Sequence, residues 1–356
     1  MKVASVVGAR PNFVKLAPVS RELRKRFDEI IIHTGQHYNY EMDRVFFDDM
    51  GIPAPDYHLG VGSGSHGYQT GEMIKRLEEI LLKEMPDAVL VFGDTNSTLA
   101  GALAAAKLHI PVAHLEAGLR SYNRRMPEEI NRVLVDHCSD LLLCPTETAM
   151  KNLMHEGISR GVCLTGDVMV DAQRDCSIIA EKRSQILEEL GLVRGGYKLA
   201  TIHRAENTDD PVRLESLVRA LQDTGDAVLP CHPRAEKCIR NLGLWEELCR
   251  RAKVIKPVGY LDMIMLEKNA SKILTDSGGV QKEAYLLDVP CITLRDETEW
   301  VETVEDGWNA LAGADREKIV RLANSFEPRR EKRDVFGRGD ASVKTAKAIA
   351  HMLEGA

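Results

Sequence analysis

No two of the eight cysteines stand at CxxC spacing, no apolar run approaches membrane-spanning length, and the formal charge of −7 is not that of a basic protein. Each absence removes a class of reading. Scattered cysteines, several of them inside apolar strand-like runs, are expected to be buried thiols in a reducing compartment, neither a disulfide framework nor a zinc site. With a pI of about 5.9, electrostatics offers no case for nucleic acid or an anionic membrane. The start, MKVASVVGAR, runs straight into a strand without the apolar core of a signal peptide, so the expectation is a cytoplasmic protein. HExxH, a DxD pair and a His/Cys cluster are all missing, so neither a metal nor another cofactor is expected. GxGxxG is missing too, which leaves only a weak case for a dinucleotide. No solenoid-type repeat is found.

What is present is an ordinary globular composition, 44% apolar and 28% charged, over 356 residues, long enough that two domains are the better prior. The most unusual stretch is His114–Arg132, HLEAGLRSYNRRMPEEINR, with three carboxylates (Glu116, Glu128, Glu129) and four arginines (Arg120, Arg124, Arg125, Arg132). The run before it, Ile110–Leu115, reads as a short buried strand. Met126-Pro127 reads as a helix start, with Pro in the first turn and two glutamates facing the positive end of the dipole. Glu116 therefore falls at the carboxyl end of a strand, the edge where open α/β sheets place ligands.

Along the chain, strands are expected at Lys2–Val7, Ile30–His33, Ala88–Phe92, Ile110–Leu115, Leu141–Cys144 and Val162–Thr165, alternating with helices. That is a doubly wound parallel sheet. The polar, glycine-rich stretch Leu59–Gly71 reads as a mobile loop over a site. A long helix, about Ala172–Leu190, leads to Val193–Tyr197, the best linker candidate. A second series follows, with strands at Lys198–Ile202, Ala227–Cys231, Val254–Ile255, Ser271–Leu274 and Cys291–Leu294, and a last helix near Ala341–Leu353. Two similar α/β domains facing across a cleft are expected, the first spanning 1–168, the second 169–339, with a terminal helix at 340–356 returning to the first.

The strand ends collect Arg10, Asp94, Glu116, His203, His232, Ser277-Gly278-Gly279 and Arg295. Ser-Gly-Gly opening a helix is either an ordinary cap or an anion site; with Arg10 and Lys15 in play, it reads as a site for a diphosphate. Glu283, about a turn further on, reaches toward ribose hydroxyls or is a solvated face. Asp94 either caps the next helix or works as an acid. Glu116 has no such structural excuse beyond a salt bridge to nearby Arg120. His109, His114 and His232 read as satisfied core histidines, whereas His203 begins a polar His-Arg-x-Glu-Asn segment directly after a buried strand.

Together these motifs carry a resemblance. GARPNFVKLAP (8–18), GQHY (35–38), GDTNSTLAG (93–101), HLEAGLRS (114–121), MPEEINR (126–132), HRAEN (203–207), HPR (232–234), GYLD (259–262), TDSGGVQKEA (275–284) and RDETEWVE (295–302) resemble, in order, the non-hydrolysing UDP-N-acetylglucosamine 2-epimerases over essentially the whole chain. The resemblance implies a GT-B fold of two Rossmann-like domains, a homodimer, and inversion at carbon 2 of a UDP-sugar in glycan precursor synthesis. UDP is eliminated to a 2-acetamidoglucal and re-added from the other face. It also implies catalytic roles for Asp94, Glu116, Glu128 and His203, and UDP contacts from Arg10, Lys15, Arg132, Ser277, Gly278, Gly279 and Glu283.

The chain reads GARPN and TEWVE where the commonest members read GTRPE and TERPE. That pattern looks more like the branch acting on UDP-2,3-diacetamido-2,3-dideoxy-glucuronate, which stands as the alternative substrate. A GT-B glycosyltransferase and a nucleotide-sugar sensor are more distant alternatives; joint presence of Asp94, Glu116, Glu128 and His203 favours catalysis. Many bacterial members use a second UDP-N-acetylglucosamine as activator, bound partly by residues after GQH. Here that segment reads YNYEM and an arginine-bearing segment is replaced by the loop at 60–71, so little or no such activation is expected.

Overall fold

A computed structural model describes residues 1–36, 51–328 and 331–355, without the side chains of Arg10 and Pro11. The motif GQHY is therefore described only as far as Gln36, and the segment YNYEM lies outside the described residues. The chain divides into two compact units, Met1–Arg174 with Asp334–Ala356, and Asp175–Arg333.

Unit 1 is built on seven parallel strands in the order β3-β2-β1-β4-β5-β6-β7. They are β1 Lys2–Val7, β2 Asp28–His33, β3 Tyr57–His58, β4 Ala88–Phe92, β5 Val112–Leu115, β6 Leu141–Cys144 and β7 Val162–Leu164. β4, β5 and β6 are buried along their whole length, as continuous apolar runs in a helix-covered parallel sheet should be. Each buried Val, Leu or Ile stabilises the unit by roughly 1.5–3 kcal/mol. The Ala-rich helix Asn96–Lys107 approaches β1 and β4 closely because it presents almost no side-chain bulk. The terminal helix Ala341–Glu354 packs on Arg10–Leu23, its start held by Asp171, which accepts from the Ala341 and Ser342 backbone and from the Ser342 hydroxyl.

Unit 2 repeats the plan with six parallel strands, order β10-β9-β8-β11-β12-β13: β8 Lys198–Thr201, β9 Ala227–Pro230, β10 Lys253–Ile255, β11 Lys272–Thr275, β12 Cys291–Thr293 and β13 Asn309–Leu311. Its core packs β8, β9, β11 and β12 against helices Pro211–Thr224 and Arg316–Ser325. In each sheet the strand order reverses once, between β1 and β4 and between β8 and β11, and the carboxyl ends flanking such a reversal are the usual ligand positions.

Several expectations need correction. The stretch Leu59–Gly71 is not wholly loop: a helix runs His66–Glu84, and Gln69 on its first turn is buried, donating to the Gly62 and Gln36 carbonyls. The glycines hid that turn because they lower helix propensity without forbidding a packed helix. The expected long helix is two, Val168–Arg183 and Ile186–Glu189. The division between units passes within the first of these, while Val193–Tyr197 is docked inside unit 2, with Gly195 N–H on Asn269 O and the buried Tyr197 hydroxyl on Leu266 O. Strands β3 and β13 went unread because two or three residues at a sheet edge carry little periodicity. Of the three histidines read as core, only His114 is buried; His109 is exposed, and exposed His232 caps helix Pro233–Asn241.

All eight cysteines are free thiols, and burial pushes those of Cys138 and Cys231 up to about 11 and Cys291 to about 12. The buried reading holds for Cys144, Cys176, Cys231 and Cys291; Cys138, Cys163 and Cys238 are half-buried and Cys249 is exposed.

Candidate active site

In unit 1 the site grows from three strand ends. After β1 the chain turns at Gly8, where an added Cβ would lie 2.0 Å from Thr34 Oγ1 and 2.1 Å from Ser97 Oγ, so no other residue fits without moving backbone. Asn12 fixes this turn: its Oδ1 accepts from Gly8 and Ala9 N–H, and its Nδ2 donates to Phe92 O at the end of β4. One side chain thus locks the β1 and β4 ends together at the reversal. Helix Arg10–Leu23, started by Pro11 at its first turn, then carries Lys15 inward. Lys15 is buried and forms an ion pair with Glu116. Arg120, the partner expected from sequence, instead pairs with Asp136 and Glu156.

Asp94 does not cap the helix that follows it. Thr95 does, accepting from Thr98 N–H, and this leaves the Asp94 carboxylate for Arg132 at 2.5 Å. Arg132 is buried and also pairs with Glu129 at 2.7 Å. Glu129 accepts from the Ser121 and Tyr122 backbone and the Ser121 hydroxyl; these bonds and the Arg132 charge hold its carboxyl below the usual range despite burial. Glu128, beside it in the first turn of Pro127–Cys138, is half-buried. Asn131 ties this helix to the turn and helix start after β4 by donating to Asp94 O and Asn96 Oδ1.

Glu116 is 8% exposed and has φ 69°, a left-handed conformation that costs a residue with a Cβ on the order of 1 kcal/mol. The array beneath it sustains that turn. His114 Nδ1 meets Asp136 Oδ1 at 2.7 Å and its Nε2 meets Gly93 O at 2.8 Å, while Asp136 Oδ2 accepts from Gly118 N–H and Arg120. His114 and Arg120 hold the Asp136 carboxyl below its ordinary range, although burial opposes them. His114 is a satisfied core histidine, and it also joins the Gly93-Asp94 turn to the Glu116–Gly118 turn. Asp94 and Glu116 are thus presented from adjacent strand ends, each against a cation.

In unit 2 Asp276, at the end of β11, plays the part of Asn12. Fully buried, it accepts from His203 and Arg204 N–H, each at 3.0 Å, and from Asn207 Nδ2, and its Oδ1 lies 3.1 Å from His203 Nδ1. These partners hold its carboxyl below the usual range against the opposing effect of burial. A carboxylate at Nδ1 keeps the proton on that nitrogen and leaves Nε2 of the half-exposed His203 as the acceptor. Ser277 caps helix Gly278–Leu286 by accepting from Val280 N–H. A Cβ on Gly278 would lie 2.1 Å from Glu299 Oε1, so the missing side chain admits a carboxylate beside the first turn. Arg295 and Arg204 hold Glu299 below the carboxyl range against burial. Glu283 is buried one turn along and accepts from the Tyr260 hydroxyl at 2.9 Å.

Sequence reasoning singled out Arg10, Lys15, Asp94, Glu116, Glu128, Arg132, His203, Ser277, Gly278, Gly279 and Glu283. The structure pairs Lys15 with Glu116 and Arg132 with Asp94, and places Ser277–Gly279 and Glu283 on one helix and His203 on the adjoining strand end. The Arg10 side chain lies outside the described residues. Asp276, Asn12, Asp136 and Tyr260 were missed as supports; each sits inside or beside a quoted motif, but their hydrogen bonds join elements distant in sequence and cannot be read from spacing. Among the described residues no group of His, Cys, Asp and Glu is arranged to hold a metal ion.

Comparison with known proteins follows the same lines. The chain matches the UDP-N-acetylglucosamine 2-epimerase family over residues 21–350. It is 56% identical to a "UDP-N-acetylglucosamine 2-epimerase homolog" of Methanococcus maripaludis, covering 99% of this chain and 100% of that one. It is 49% identical to the UDP-2,3-diacetamido-2,3-dideoxy-D-glucuronate 2-epimerase of Pseudomonas aeruginosa, again over 99% and 100%. Among solved structures, the UDP-GlcNAc 2-epimerase of Methanocaldococcus jannaschii in complex with UDP-GlcNAc and UDP superposes with TM-score 0.90 at 46% identity, covering 99% and 100% of the chains. The fold is the GT-B type, and the chain belongs to the UDP-N-acetylglucosamine 2-epimerase family, whose members are isomerases.

Proposed function

We propose that the protein interconverts UDP-N-acetylglucosamine and UDP-N-acetylmannosamine without hydrolysis. A base takes the proton from carbon 2, the electron pair forms a carbon 1–carbon 2 double bond, and the bond from carbon 1 to the diphosphate oxygen breaks, releasing UDP. Re-addition of UDP at carbon 1 with proton delivery to the opposite face of carbon 2 gives the epimer. Atoms balance and no net oxidation occurs, so the reaction calls for no redox cofactor. The proton beside an acetal carbon is weakly acidic, so a positioned base and a stabilised leaving group must share the work.

Unit 1 supplies the carboxylates, Asp94, Glu116 and Glu128, and two cations, Lys15 and Arg132. Unit 2 supplies the helix start Ser277-Gly278-Gly279 for the diphosphate, Glu283 for ribose, and the Asp276-oriented His203 as proton carrier. The observation that carries the reading is the presentation of Asp94 and Glu116 from neighbouring strand ends, each with its own cation and Glu116 in a strained backbone. A mere nucleotide sensor has no need of that investment. The M. jannaschii structure with UDP-GlcNAc and UDP supports the substrate. A second reading, the diacetamido-glucuronate, is favoured by the P. aeruginosa relative and by GARPN and TEWVE. Among the described residues no helix is long and apolar enough to cross a membrane. A cytoplasmic homodimer, acting without metal and making glycan precursors, completes the proposal. Incubation of each sugar nucleotide in deuterium oxide tests it: deuterium at carbon 2 of UDP-N-acetylglucosamine and its epimer is expected, and exchange of the diacetamido-uronate alone would transfer the assignment to that branch.

A further inference from the structure

Within unit 2, helices Tyr260–Lys268 and Gly278–Leu286 pack together, and each carries a buried glutamate, Glu267 on the first and Glu283 on the second. Glu267 is 0% exposed, and no described donor reaches either of its oxygens. Its neighbour across the helix pair is Glu283, within hydrogen-bonding reach. Tyr260 lies seven residues before Glu267, two turns back on the same helix face, and donates its hydroxyl to Glu283 Oε1 at 2.9 Å. Burial raises both carboxyls, and Glu283 raises Glu267 further.

Two carboxylates this close and this dry do not both ionise; they share one proton. The surroundings say where it resides. Glu283 has a phenol donor and the positive charge of Lys282, whose nitrogen lies 4.2 Å over the Trp300 ring. Among the described residues, the titratable groups facing Glu267 are Glu283, the phenols of Tyr260 and Tyr197 and the thiol of Cys291, with Cys176 beyond Tyr260. None brings positive charge, and the Tyr197 hydroxyl is spent on Leu266 O.

We propose that Glu267 is a neutral carboxylic acid that donates its proton to Glu283, a positioning residue that keeps Glu283 the charged acceptor for the hydroxyls of a ribose. It rests on the reading of Glu283 as the ribose contact and adds what makes a buried glutamate competent for it. Two hydroxyl donors of a nucleoside are best met by a carboxylate, and a protonated Glu283 would offer one of them a donor instead. Glu267 takes the proton that burial would otherwise force onto Glu283.

Infrared spectra of the full-length protein, with and without UDP, test the proton directly. The expected result is a carboxylic-acid carbonyl band in the wild type that shifts in deuterium oxide and is lost in Glu267→Gln. No such band, or a band that persists in Glu267→Gln, overturns the proposal. UDP and 2′-deoxy-UDP affinities across neutral pH test the consequence. Wild type and Glu267→Gln, whose amide still donates, are expected to favour UDP with little pH dependence. Glu267→Met, which cannot donate, is expected to bind UDP about tenfold more weakly, to lose discrimination against the deoxynucleotide, and to weaken further as pH falls. Wild-type behaviour in Glu267→Met overturns the positioning role. Unchanged UDP affinity in Glu283→Gln would instead remove the ribose reading, and the infrared result separates the two failures.

Discussion

Replacing Asp276 by asparagine changes one atom's chemistry at the point where His203 is held. The carboxylate is fully buried and accepts from the His203 and Arg204 backbone, from Asn207 Nδ2 and from His203 Nδ1. An amide keeps one oxygen for these donors and turns its NH2 toward the rest. Three of the donors converge on Oδ2, so an amide oxygen placed there keeps them and only the bond to His203 Nδ1 is lost; at roughly 1.5–3 kcal/mol for a hydrogen bond to a charged acceptor, the unit loses about that much stability. The effect on catalysis is separate. With an NH2 beside Nδ1 the imidazole turns or adopts the other tautomer, and Nε2 no longer offers its lone pair; a mis-set catalytic imidazole costs about 10²–10⁴ in kcat. Initial rates of epimer formation by NMR, paired with denaturant unfolding and UDP titration, separate these effects. The stability deficit is expected to narrow in strong acid. Asp276 is depressed in the folded state, so its contribution is present above its unfolded pKa of about 3.9 and is lost as pH falls through the lower folded value. A folded Asp276→Asn protein with kcat within twofold of wild type would refute the reasoning.

Arg132→Lys should reduce kcat by about tenfold or more, because one ammonium cannot repeat the guanidinium's simultaneous bonds to Asp94 and Glu129; steady-state kinetics reads it, and wild-type turnover would contradict it. Glu299→Gln should tighten UDP, because it removes a negative charge beside the helix start proposed for the diphosphate; isothermal titration giving weaker binding would show that Glu299 aids the nucleotide instead. Added UDP-N-acetylglucosamine should not be required for epimerisation of UDP-N-acetylmannosamine, and a strict dependence in initial-rate assays would restore the activator requirement.

Much of the candidate site was legible because parallel α/β architecture sends polar groups to strand ends, and those ends are punctuated by glycine, proline and charge. Glu116 stood out for having no structural excuse, and the structure gives it a left-handed backbone and Lys15 as partner. The partner could not be read: Lys15 is 101 residues away, whereas Arg120 is four. His114 looked like a core histidine and is one, yet its two bonds link the turns carrying Asp94 and Glu116, a role visible only with β4 and β5 side by side. The helix start at His66 was masked by Gly62, Gly64, Gly67 and Gly71, whose propensity argued for a loop while Gln69 and Met73 were anchoring a buried face. Glu267 carried no signal at all, since a lone glutamate on a helix is ordinarily solvated.

The central claim is that the bond between carbon 1 and the diphosphate oxygen breaks and re-forms. UDP-N-acetylglucosamine carrying a heavy-oxygen label in that bridging position tests it in one experiment. Scrambling of the label into the non-bridging β-phosphate oxygens, at a rate no slower than epimer formation, is the predicted result. Formation of the manno epimer with the label still wholly in the bridge would contradict the elimination mechanism.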